Sequence, residues 1–147
     1  MTSGRLSSTL ATAFLAVASI AANAALIPFR VNLTGTQEVP GPGDPDGTGV
    51  ALLIFDSAAN RVDWRFAVEN VDTPLTGAHI HIGAAGVSGP VTINFSGQLS
   101  GSVVDVDVAG VLADPTNFYV NLHNATFPLG AIRGQLVYPL PFRDGFE

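Results

Sequence analysis

Alternation of apolar and polar residues at a period of two, cut at short intervals by turn clusters, limits this chain to strands. The clearest run is Arg61–Glu69, where Val62, Trp64, Phe66 and Val68 form one row and Arg61, Asp63, Arg65 and Glu69 the other. Side chains at i and i+2 of a strand share a face, so such a run can bury one row and solvate the other. Trp64 on the apolar row belongs to a core. The same reasoning predicts strands over Pro28–Gly35, Thr76–Gly83, Val91–Phe95, Ser102–Val108, Phe118–His123 and Ala131–Tyr138, and a continuous apolar strand over Gly49–Phe55. Asp56–Asn60 is a turn, which makes a hairpin of the strands beside it. Gln37–Gly49 and Gly83–Pro90, rich in Gly, Pro and Asp, are loops. Asp44-Pro-Asp46-Gly47 is turn chemistry; the further ligands and closing glutamate of a calcium loop are missing. Gly110–Pro115 reads as a short helical turn, and no longer helical periodicity follows residue 25. The expectation is an all-β, Greek-key sandwich or barrel of about eight antiparallel strands.

The first 24 residues stand apart. Arg5 precedes a mostly apolar, uncharged run, Leu10–Ile20, and Ala22-Asn23-Ala24 has the small-x-small pattern of a signal-peptidase site. The expected organisation is a signal peptide over 1–24, one domain over 25–139 and a tail over 140–147. The apolar run is short for a membrane span and no second candidate follows, so no span is expected after cleavage. The chain is expected to be exported, to the periplasm or as a secreted protein. It has no cysteine, which excludes disulfides and a lipid-modified cysteine, so stability must come from packing or from a ligand. Loss of Arg5 would leave five arginines against twelve carboxylates, a net charge of −7, with no lysine. That balance argues against nucleic-acid binding and removes Schiff-base and P-loop chemistry.

Chemistry concentrates in three histidines. In Thr76-Gly-Ala-His-Ile-His-Ile-Gly83, His79 and His81 lie on one row and Ile80 and Ile82 on the other, which is expected to face the core. In Phe118–His123 the apolar row is Phe118, Val120 and Leu122, and the opposite row is Tyr119, Asn121 and His123. Two readings stand. Three neutral imidazoles suit copper, zinc or nickel, with affinity highest for copper and zinc the lesser choice, and three protein ligands leave a position open. Asn121, Asp63, Asp105 and Asp107 are candidates for groups that orient such ligands. Alternatively, the histidines hydrogen-bond to loop carbonyls and pin Gly83–Pro90 or Asn124–Gly130. Arg133 either holds an anion beside the histidines or forms a surface salt bridge with Glu38 or Asp63. Tyr119 either flanks the site or covers the sheet. No cysteine nucleophile and no Gly-x-Ser-x-Gly elbow is present.

Several motifs resemble the CHRD domain, first described in chordin: Gly77-Ala-His-Ile-His-Ile-Gly83, Gly86-x-x-Gly-Pro90, Tyr119-Val-Asn-Leu-His123 and Phe127-Pro-Leu-Gly-Ala-Ile-Arg-Gly-Gln-Leu136. Leu33-Thr-Gly-Thr-Gln-Glu-Val-Pro40 resembles its usual opening, so the resemblance runs from about Val31 to Val137. The tail Phe142-Arg-Asp-Gly-Phe-Glu147 is similar to an ending found on many exported proteobacterial proteins. The resemblance implies an immunoglobulin-like or superoxide dismutase-like sandwich. By looser analogy with copper-zinc superoxide dismutases, His79, His81 and His123 would match three copper-binding histidines, and Arg133 the arginine that guides the anion. The chain departs from that pattern: no histidine remains to bridge metals or to build a zinc site, and the dismutase cysteines are absent. The family is defined by sequence more than by activity; the expected function is a non-enzymatic exported binding or interaction module for a protein or glycan partner, to which the metal reading adds a three-histidine copper site. The alternative is a copper-dependent redox enzyme.

Overall fold

The computed structural model describes residues 25–138, so the expected signal segment 1–24 and tail 140–147 lie outside the described residues. Eight strands form one antiparallel, curled sheet: β1 (Leu26–Thr34), β2 (Thr48–Asp56), β3 (Arg61–Glu69), β4 (Gly77–Ile82), β5 (Val91–Asn94), β6 (Ser100–Val104), β7 (Phe118–His123) and β8 (Ile132–Gln135). Their spatial order is β5-β4-β7-β8-β1-β2-β3-β6. One short helix, α1 (Val108–Ala113), precedes β7 and buries Val108 and Val111. It starts two residues before the expected helical turn.

The expected hairpin is β2–β3, paired from Thr48↔Glu69 to Asp56↔Arg61. Its turn is held by Asp56 Oδ1, which accepts from the backbone N–H groups of Ala58 and Ala59. Alternation sets the inner face: Phe29, Val31 and Leu33 of β1, Ala51, Leu53 and Phe55 of β2, and Val62, Trp64 and Phe66 of β3 are buried. Each large apolar side chain so buried contributes about 1.5–3 kcal/mol.

The curl brings distant strands together. Phe95, just after β5, packs its ring 4.6 Å from Trp64 and 5.6 Å from Phe66 of β3. The Trp64 indole donates to the Gln98 carbonyl at 3.0 Å. A side chain on Gly101 would place its Cβ 2.6 Å from that indole, which is why glycine faces it. β8 joins β1 through a single paired position, Thr34↔Arg133. There the absent side chain of Gly134 lets Val31 and Leu33 approach.

Gly49–Phe55 is a strand, as expected, and buries alternate residues: Leu52 and Ile54 face outward and are exposed. Three expectations need correction. Ile82 does not follow Ile80 into the core, because β4 ends there and the side chain lies open. The expected strand over Ser102–Val108 stops at Val104. Val106 is exposed, and Asp107 leads into the helix, with Asp105 Oδ1 accepting its N–H. The last strand is confined to Ile132–Gln135, and Arg133 on its polar row is buried, not at the surface.

Candidate metal centre

β4 and β7 are adjacent, and their register sets Gly77 opposite His123, His79 opposite Asn121 and His81 opposite Tyr119. Residues directly opposite in an antiparallel pair share a face, so all six stand on the side of the sheet away from the core. Beneath them, Ala78, Ile80, Val120 and Leu122 are fully buried and anchor both strands. β8 extends the polar layer with Arg133, opposite Asn121, and Gln135, opposite Tyr119.

The three imidazoles converge. Ring centroids are 5.4 Å apart for His79 and His81, 5.1 Å for His79 and His123, and 6.2 Å for His81 and His123. One nitrogen from each lies within 4.8 Å of the others. The Nδ1 atom of His81 is 2.9 Å from the Gly89 carbonyl, and that of His123 is 3.1 Å from the Pro128 carbonyl. A carbonyl only accepts, so each Nδ1 carries the proton and each Nε2 is left with a free lone pair. His81 Nε2, His123 Nε2 and His79 Nδ1 are buried without a hydrogen-bond partner. Gly77 makes the space: a Cβ there would come within 2.8 Å of His79 Cε1 and 3.2 Å of His123 Cδ2.

Burial lowers the pKa of all three. His79 falls to about 4, through desolvation first and then the neighbouring His123 and His81. His81 is lowered by burial and by the Arg133 charge, against the opposing bond to Gly89. His123 is lowered by burial and by His81, against the bond to Pro128. The rings are therefore neutral at neutral pH, which is the form that binds metal.

The surrounding residues divide by partner. Tyr119 does flank the histidines: its ring stacks on His81 with centroids 4.9 Å apart and planes 11° apart. Its hydroxyl accepts from the Gly89 N–H at 3.1 Å. The Arg133 guanidinium lies over the same ring, 3.4 Å from its centroid. Arg133 Nη2 donates to the carbonyl of Ala84 and to Gln135 Oε1, while Nη1 is buried without a partner. Neither expected salt bridge of Arg133 forms, because loop Gly83–Pro90 covers it; Asp63 pairs instead with Arg61 on β3. Asn121 does not reach an imidazole. Its Nδ2 donates to both carboxyl oxygens of Glu38, at 3.0 and 2.7 Å. Glu38 is only 5% exposed, and burial raises its pKa to about 7 despite the Arg133 charge and the Asn121 bond. Asp105 and Asp107 lie beside α1 and serve its approach.

Sequence reasoning misjudges two residues. Glu38, read only as a surface partner of Arg133, sits in a loop where nothing local marks it as buried. Gly77 is one of sixteen glycines, and only the β4–β7 register shows what its missing side chain leaves room for. The sequence does hold one overlooked signal. Between Asp72 and Asp105, and again between Asp114 and Arg133, no Asp, Glu, Lys or Arg occurs. Those stretches hold β4, β5 and β7, so the strands that carry the histidines, and β5 beside them, hold no fixed charge, and Arg133 enters the layer from β8.

These features define a class: an all-β, curled-sheet protein with a histidine-centred polar layer on its outer face. A family model, the CHRD domain, matches residues 29–136. The chain belongs to the CHRD domain family. No curated protein and no solved structure matches it.

Proposed function

We propose that this chain is an exported CHRD-domain binding module that holds one copper ion through His79, His81 and His123. The observation that carries the reading is the set of three converging ring nitrogens, each buried and without a partner. A purely structural role accounts for the Nδ1 bonds to Gly89 and Pro128, which pin the two loops. It leaves the opposite nitrogens desolvated and unpaired, a cost of about 1–3 kcal/mol for each such group. A metal ion uses those lone pairs, and the carbonyl bonds then become the orienting contacts that metal-binding histidines need. Three neutral nitrogens fit copper best among first-row ions, with zinc second. Copper content of the purified protein, loaded in oxidised and in reduced form, tests this against His79→Ala and His123→Ala. One copper per chain, lost in both variants, is the expected result. Binding indifferent to both substitutions would leave only the structural role.

The redox-enzyme alternative has less support. Arg133 is 2% exposed and tied to Ala84, so it does not offer an open guanidinium to an incoming anion. The module reading asks only for a folded surface and a held ion, with a protein or glycan as its partner.

A further inference from the structure

The electrostatics of the centre bear on which copper it holds. All three donors are neutral imidazoles, and all are partly buried. Their own strands and the neighbouring β5 carry no carboxylate. Glu38, the carboxyl that shares this layer, is bonded to Asn121 and offsets Arg133. A fixed positive charge stands in the same layer: Arg133, over the Tyr119 ring that stacks on His81. The cost of desolvating an ion grows with the square of its charge, so a dication here costs about four times as much as a monocation. Repulsion from the guanidinium doubles on going from one charge to two.

We propose that the three-histidine centre selects Cu(I) over the divalent ions Cu(II) and Zn(II). This rests on the metal-centre reading and adds the oxidation state. Cu(I) is satisfied by a three-coordinate nitrogen set, whereas a divalent ion would take water or an anion from solvent as a further ligand. Selectivity comes from what surrounds the ligands, because imidazole nitrogen by itself accepts copper, zinc and nickel alike.

Asn94 of β5 offers a clean test. It pairs with His79 across the β4–β5 ladder and is exposed, and its Oδ1 accepts the Ser96 N–H at 2.7 Å, a bond that aspartate retains. Asn94→Asp adds one negative charge beside the centre without removing a ligand. Anaerobic titration against a chromophoric Cu(I) chelator, and parallel titrations with Cu(II) and Zn(II), give the affinities, with circular dichroism to confirm folding. The wild-type protein is expected to prefer Cu(I) by about 100-fold or more, and Asn94→Asp to narrow that preference by about tenfold. Cu(II) or Zn(II) held as tightly as Cu(I), and lost in His123→Ala, would overturn the selectivity and keep the metal centre. An unchanged ratio in a folded Asn94→Asp would overturn its electrostatic origin. No metal held in any state would overturn both this proposal and the reading beneath it.

Discussion

The two halves of the sheet differ in how they treat charge. In β1 and β3, outward positions hold Arg30, Arg61, Asp63, Arg65 and Glu69, and charge meets water directly, as in the Arg61–Asp63 pair at 2.9 Å. In β5, β4 and β7, outward positions hold histidine, tyrosine and asparagine, and loops fold over them. Both halves use the same pleat and the same inner row of apolar residues. The difference shows that a sheet face can be specialised without altering the core beneath it: the first half sets charge on β1 and β3 beside the exposed apolar Leu52 and Ile54 of β2, the second builds a desolvated polar layer.

Substitutions can break that contrast or sharpen it. Phe95→Ala should have the largest effect, because its ring joins the two halves through Trp64 and Phe66; a loss of about 3–5 kcal/mol in denaturant unfolding is expected. If the loss were under about 1 kcal/mol, the halves would not depend on that contact. Next, Gly77→Ala should push the His79 and His123 rings apart and weaken copper binding by about tenfold or more, while leaving the charged half untouched. Equal affinity in a folded variant would show that the rings need no such room.

The third effect concerns pH, and its two components oppose each other. The histidines have lowered folded pKa values, so their contribution to apo-protein stability is present above about 6.5 and is lost as pH falls, for His79 through about 4. Glu38 is raised from 4.5 to about 7, so its contribution is present below 4.5 and is lost as pH rises through about 7. Glu38→Gln removes the second component. Thermal melts of the metal-free variant should then rise more steeply from pH 5 to pH 7 than those of the wild type. At pH 8 the variant should gain on the order of 1 kcal/mol, a figure already reduced for solvent screening. Parallel pH profiles would refute the assignment to Glu38. The smallest effect belongs to the charged half: a double-mutant cycle on Arg61 and Asp63 should return a coupling of about 0.2–1 kcal/mol that fades with salt.

The strands were legible because alternation is a local signal. Arg61–Glu69 reads the same in sequence and in structure, and so does the shared face of His79 and His81. Legibility failed where burial depends on distant neighbours. Leu52 and Ile54 look like core residues in an apolar run, and only their pairing in β2 turns them outward. Arg133 looks like a surface cation, and only the arrival of Ala84 covers it. The meeting of His123 with His79 and His81 is of the same kind. It requires β4 to pair with β7 across the intervening β5, β6 and α1, a register that no stretch of sequence encodes by itself.

That long-range pairing also orders events in time. A chain emerging from its N-terminus can pair β1, β2 and β3 in succession, since each meets its sequence neighbour. β4 presents two histidines at once but waits for β7 to bring the third, and β8 then joins β7 to β1. The ligand set is thus complete only once β7 has paired with β4, so an ion held by all three histidines would mark a chain whose long-range pairing has formed.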